Sequence, residues 1–353
     1  MLTNTGTEGS ALLEVYQHMP VRPVRGEGSW LVDEAGERWL DAYGGHAVAA
    51  TGHSHPRVVA AIAEQAATLL FYSAAVPLGV RSALAERLAS LCPDPLNRVF
   101  FCNSGAEANE NALHLARRWT GRREIVTMTG GWHGRTVATL ACCDGGKYEA
   151  GAERAGMSLS RRARFNDIDA LEQQMDGTVA AVLVEPVQGM AGARPAFPGF
   201  LRAARELCDR HGAVLIFDEV QCGVGRCGAF TTAESVGVTP DILTMAKGLG
   251  SGLPIAAMIA SPSVTAVLGM GDLGSTFGGG PVPCAAALAT LDVIKDEDLI
   301  GNAIAVGEHI IRGAGAIGIE RVHGRGLLLG LALGRPARAV QEALFRRRIL
   351  TGT

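Results

Sequence analysis

Residues Leu215 to Cys222 read LIFDEVQC. With Ala213 and Val214 in front, they form a continuous apolar run, AVLIF, that closes on two adjacent carboxylates, Asp218 and Glu219. A run that does not alternate is buried on both faces, which predicts a parallel sheet covered by helices. In such sheets ligands bind beyond the carboxyl ends of the strands, where these two carboxylates fall. Further along, Thr244 to Gly250 read TMAKGLG, with Lys247 set among small residues.

Outward from this stretch, short β-rich runs alternate with longer helical patterns. RVFFC (98–102) precedes GAEANENALHLARRWT (105–120) and EIVTMT (124–129); VAAVLVE (179–185) precedes FLRAARELCDRHG (200–212). That order is α/β. Two further strand ends are polar: Glu185 closes VAAVLVE, and Asn103-Ser104-Gly105 follow RVFFC. Near the N-terminus, GSWLVDEAGERWLDAYGG predicts a small hairpin turning at Glu34-Ala35-Gly36. Near the C-terminus, GIERVHGRGLLLGLALGR leads into a helical PARAVQEALFRRR. Both ends read as parts of one smaller, discontinuous domain, with residues 1–52 and 286–353 flanking a large domain at 53–285.

The 353 residues are enough for one large core with a smaller one attached. Thirty-two basic and 35 acidic residues are dispersed along the chain, for a net charge of −3. No basic field for nucleic acid results, and a small-molecule partner is expected. The eight cysteines lie mostly in apolar strands or helices and lack paired zinc-ligand spacing, so they read as reduced, cytoplasmic core residues with no metal role. The segment MLTNTGTEGSALLEVYQHMP has no basic stretch followed by an apolar one, and nowhere do about 18 apolar residues run together. Neither export nor membrane insertion is expected.

Each polar feature has two readings. Asn103-Ser104-Gly105-Ala106 lies where a strand enters a helix; its amides favour a phosphate, and a plain N-cap by Ser104 is the alternative. Lys247 is either an ordinary loop cation or an amine whose ammonium form is disfavoured, leaving the lone pair needed for an imine. Asp218 either pairs with a base such as Arg226 or keeps the pyridine nitrogen of pyridoxal phosphate protonated. Gly269 to Gly274 (GMGDLG) matches the dinucleotide fingerprint by letter, but STFGGGP follows where a helix is required. His53-Ser54-His55 precedes Pro56 and no carboxylate cluster, and reads as a helix start.

The assembled motifs resemble those of the class III pyridoxal-phosphate aminotransferases, above all the acetylornithine and ornithine aminotransferases. The ordered series is GEGSWLVDEAGERWLDAYGG, TGHSHP, FCNSGAEANENALHLAR, GGWHGRT, VLVEPVQG, LIFDEVQCGVGR, TMAKGLGSGLP and GSTFGGGP, from about residue 25 to 335. The resemblance implies an aspartate aminotransferase-like fold: a mostly parallel sheet covered by helices, plus a smaller α+β domain from both chain ends. It implies that Lys247 forms the imine with the cofactor and shuttles the proton, while Asp218 holds the pyridinium. Gln221 would bond the phenolic oxygen, Trp132 and Val220 would cover the two ring faces, and Ser104, Gly105 and Ala106 would meet the phosphate. Thr276 would reach the phosphate of a neighbouring subunit in a homodimer, and Arg135 would hold the substrate carboxylate; Glu185 lies close to these groups.

The implied reaction moves the terminal amino group of acetylornithine, or of a similar basic amino-acid derivative, to 2-oxoglutarate in arginine or lysine biosynthesis. Ornithine, succinylornithine and 4-aminobutyrate aminotransferases share these motifs, as does an aminomutase; a non-catalytic binding protein is the remaining alternative. Three departures stand out. Met190 replaces a glutamate that pairs in the family with a C-terminal arginine, and relatives continue past RRRILTGT through the segment that carries it. Gly280 replaces an asparagine and Ala106 a threonine.

Overall fold

The computed structural model describes residues 11–319 and 321–353. Residues 1–10 of the stretch read for an export segment, and Glu320 in the C-terminal run, lie outside the described residues.

Seven strands form the central sheet, in the order Arg98–Cys102, Ala256–Ala260, Ile242–Met245, Val214–Asp218, Val179–Val184, Glu124–Met128 and Arg161–Ala163. Only Ala256–Ala260 runs against its neighbours. The others share one direction, so their carboxyl ends meet along a single edge.

Both faces are covered. Leu215 and Phe217 pack with Leu84, Leu88, Phe200 and Leu201 on one side. Val214 and Ile216 pack with Ala112, Leu113 and Ala116 of the helix Gly105–Thr120 on the other. The period of two along the strand then separates the paired carboxylates. Asp218 continues the face of Val214 and Ile216, while Glu219 continues the face of Leu215 and Phe217.

The expected hairpin is present, with strands Trp30–Asp33 and Arg38–Asp41 paired antiparallel. Asp33 shapes the turn by accepting from the backbone N–H groups of Ala35 (3.0 Å) and Glu37 (2.9 Å), and Gly36 takes φ +82°. The two chain ends meet here, because Ile349 and Leu350 pair with Leu40 and Asp41. Trp39, Phe345 and Leu350 form a small core of their own. The boundary read at 285/286 falls inside the helix Pro281–Asp296. His55-Pro56 does start a helix, Pro56–Thr68, and Gly269–Gly274 opens no helix. Among the described residues no helix is long and apolar enough to cross a membrane.

Candidate active site

The shared carboxyl edge gathers the polar strand ends. Asp218 is 3% exposed, and its carboxylate is held from three directions. Oδ2 accepts from Asn109 Nδ2 (2.7 Å) and from His133 Nδ1 (2.8 Å), and Oδ1 accepts from the Val220 backbone N–H (3.1 Å). Asn109 is fixed in turn: its amide donates to the His133 carbonyl (2.8 Å), and its oxygen accepts from Thr244 Oγ1 (2.7 Å). A buried carboxylate in such a frame keeps one orientation. The pairing with Arg226 weighed from the sequence does not form; His133 and Asn109, supplied by neighbouring elements, occupy the positions a base would take.

Lys247 begins a short 3₁₀ turn, Lys247–Gly250, just past the end of Ile242–Met245. Its φ is +45°, an uncommon conformation for a residue with a Cβ. Nζ donates to Gln221 Oε1 at 3.2 Å. Burial pulls the Lys247 pKa below its ordinary value, with Asp218, Glu185 and Cys222 opposing it. More of the amine is therefore neutral than on an exposed lysine. A Cβ on Gly189 would push the Gln221 amide aside, so the glycine leaves that amide its place beside Lys247.

Ser104 caps the helix Gly105–Thr120 by accepting from the Glu107 N–H (3.2 Å), and Glu107 accepts in return from the backbone and side chain of Asn103 (3.0 Å each). The plain cap is thus real. Among the described residues, the Gly105 and Ala106 N–H groups have no partner, and with the helix dipole they leave a place for an anion. Val220 fills the space beside Gly105, where a Cβ would lie 2.6 Å from Val220 Cγ1.

Trp132 follows the strand Glu124–Met128. Its backbone N–H donates to Glu185 Oε1 (2.7 Å), and its ring meets Tyr148 edge-on at 4.7 Å. Burial raises Glu185 to about 7, assisted by Asp218 and opposed by His133, the Trp132 N–H and Lys247. Arg135 is exposed, and its Nη2 donates to the Tyr16 hydroxyl at 2.5 Å with the guanidinium 5.4 Å from the ring centroid.

Tyr16, Asn109 and His133 escaped the sequence reading. His133 stood inside GGWHGRT; Tyr16 carried no signal beyond being an aromatic ahead of the first strand. Met190 and Thr276 are exposed, and neither touches the Asp218–Lys247 group among the described residues. Seven of the eight cysteines are buried and all are free.

The aminotransferase class-III family profile matches residues 13–349. The chain is a class III aminotransferase. It is 42% identical over 339 residues to acetylornithine aminotransferase 1 of Bordetella pertussis, covering 93% of this chain and 86% of that one. It is also 42% identical over 332 residues to the acetylornithine aminotransferase of Methanocaldococcus jannaschii, with 91% and 83% covered. The ornithine aminotransferase of Toxoplasma gondii superposes with a TM-score of 0.88 at 32% identity, covering 97% of this chain and 85% of that one. A PLP-bound amine transaminase from an uncultivated Pseudomonas species gives 0.88 at 30% identity, with 98% and 92% covered.

Pyridoxal 5′-phosphate is accordingly the cofactor of this transaminase. The side chains present suit it: a pinned carboxylate for a pyridinium, an amine of lowered pKa for an aldehyde, and unpartnered helix amides for a phosphate.

Glu219 explains the second carboxylate of the opening stretch. It is fully buried on the opposite face and accepts from the Thr232 (2.6 Å) and Ala233 (2.8 Å) N–H groups at the start of the helix Thr232–Val236. Burial raises its carboxyl from an ordinary 4.5 to about 7 against those hydrogen bonds. The folded protein therefore keeps a proton that the unfolded chain releases. Stability from this group is present below the unfolded pKa and is lost as pH rises through about 7. In Glu219→Gln, proton uptake on folding at about pH 6 is expected to fall by about one proton. Calorimetry in buffers of different ionisation enthalpy measures it; unchanged uptake would mean that Glu219 stays ionised.

Proposed function

We propose that this transaminase moves the terminal amino group of N-acetylornithine, or of a similarly acylated basic amino acid, to 2-oxoglutarate in arginine or lysine biosynthesis. The observation that carries the reading is a pair of poles: the Lys247 amine in the sheet edge, and Arg135 with Tyr16 at an exposed flank. An amino acid reacting at its far amine offers a carboxylate to such a flank, and a guanidinium binds it through two parallel hydrogen bonds. The relatives' names support the donor; nothing in the geometry of Lys247 alone would.

When bound, pyridoxal phosphate supplies an aldehyde for the amine and a ring that takes up the charge left as the donor carbon loses its proton. The chain does the rest. Lys247 Nζ, aimed by Gln221, would hold the aldehyde as a neutral amine and would move the proton. Asp218 would give the ring nitrogen a fixed negative partner, Trp132 and Val220 would cover the ring, and Ser104, Gly105 and Ala106 would hold the phosphate.

The same reading includes a homodimer in which Thr276 completes the phosphate site of the partner. It is supported by exposed Leu70, Phe71 and Phe277 around a hollow of about 520 Å³ that Asn103 also lines, next to the loop carrying Thr276. A cytoplasmic location and a division at 52/53 and 285/286 belong to it as well.

The test is a donor screen with 2-oxoglutarate, reading glutamate. N-acetylornithine, or another Nα-acylated ornithine such as succinylornithine, is expected to exceed ornithine and 4-aminobutyrate in kcat/KM. A different order overturns the donor assignment, and turnover independent of 2-oxoglutarate points to an aminomutase.

A further inference from the structure

The loop ahead of the helix Pro281–Asp296 is held at both ends and exposes its middle. At its start, Ser275 Oγ accepts from the Gly278 backbone N–H (3.1 Å) and from Asn103 Nδ2 (3.2 Å). Toward its end, the Gly279 carbonyl accepts from Arg81 Nε (2.7 Å), whose other nitrogens donate to the Val76 (3.1 Å) and Tyr72 (3.0 Å) carbonyls. Gly278 lies against the Phe101 carbonyl with no room for a Cβ. Between these anchors Thr276 and Phe277 stand exposed.

Asn103 has a second engagement. Its backbone N–H and its Nδ2 both donate to Glu107 Oε2 (3.0 Å each), and Glu107 Oε1 accepts from Ser104 Oγ (3.3 Å). Ser104 and Glu107 close the cap of the helix Gly105–Thr120, the end whose Gly105 and Ala106 N–H groups are left for a phosphate. An amide –NH₂ carries two hydrogens, so Asn103 holds Glu107 and Ser275 at once. One side chain thus joins the phosphate cap of a subunit to the loop which that subunit lends to its partner.

We infer that Asn103 is a positioning residue that couples the two phosphate sites of the dimer, so that the cofactor binds with positive cooperativity. The inference rests on the reading above, in which Thr276 completes the phosphate site of the partner. A phosphate on the Gly105 and Ala106 amides restricts the first turn of the helix, and with it Glu107, Asn103 and Ser275. A loop already ordered costs less to dock on the second phosphate, so the second site binds more tightly than the first. Binding linkage is reciprocal, and in a two-fold dimer each loop acts in both directions.

In the experiment, pyridoxal phosphate is removed from the parent and returned in steps, at a concentration where sedimentation shows the apoprotein dimeric, and binding is read from absorbance. The second site is expected to bind about fivefold more tightly than the first, a Hill coefficient of about 1.4. Ser275→Ala removes the acceptor for Asn103, leaves the cap intact and is expected to give a coefficient of about 1.0. Ser275→Thr keeps a hydroxyl and should restore the parent value. Thr276→Ala is expected to weaken binding about tenfold. In that variant, hydrogen exchange over residues 275–280 should still slow on adding cofactor, through the subunit's own cap, and should cease to do so when Ser275→Ala is added. A parent that is monomeric with cofactor bound, or unchanged affinity in Thr276→Ala, overturns the dimer reading and this inference with it. Weakened binding in Thr276→Ala beside a parent coefficient of about 1.0 overturns the coupling alone. A parent coefficient that Ser275→Ala leaves in place overturns the role of Asn103.

Discussion

Replacing Lys247 by alanine is expected to lower turnover by about 10⁴-fold or more, because one substitution removes both the nucleophile and the proton carrier. The chain has three lysines, which makes the result unusually easy to read. Lys147 is engaged with the face of Tyr148 at 4.8 Å, and Lys295 is exposed near the end of a helix. Lys247 alone stands at a strand end, half-buried, with Gln221 on its amine and its ammonium form disfavoured by burial. The purified parent should be yellow. Borohydride reduction followed by peptide mapping should place the cofactor on Lys247 in the parent and on no residue in the variant. An adduct on Lys147 or Lys295, or a variant that keeps its rate, would overturn the assignment.

Much of this arrangement was legible because it depends on local pattern. AVLIF is apolar without alternation, so it had to be a buried strand, and whatever followed it had to sit at the sheet edge. Lys247 is legible for the same reason, one loop past the next strand. The direction of Ala256–Ala260 was not, since an apolar run of five reads alike in either direction. The partner of Asp218 was not legible either. Arg226 is near it in sequence, whereas His133 and Asn109 arrive from elements 85 and 109 residues away. Tyr16 gains meaning only when the N-terminal segment folds against Arg135, 119 residues away. Glu219 shows the converse: adjacent to Asp218 and chemically the same, it serves a helix N-terminus because the pleat turns it to the other face.

That pairing of like residues on opposite faces sharpens the last expectation. Asp218→Asn should retain cofactor yet lose about 100-fold or more in turnover. A charge about 4 Å from a pyridinium at an effective dielectric near 20 is worth roughly 4 kcal/mol before desolvation. Each 1.36 kcal/mol off the barrier is about tenfold in rate, so losing even the larger part of that interaction gives a change of this size. The amide also faces the wrong partners. Asn109 Nδ2 and His133 Nδ1 both donate to Asp218 Oδ2, and an asparagine has only one acceptor oxygen, so its own N–H₂ must turn toward a donor or toward the ring nitrogen. A measured thermal midpoint and cofactor occupancy close to the parent's, together with the lost rate, would show that the charge does the chemistry. The companion Glu219→Gln removes a carboxylate one residue away and should leave turnover within a few-fold. If Asp218→Asn instead keeps near-parental turnover, the carboxylate is a structural anchor for His133 and Asn109 and nothing more.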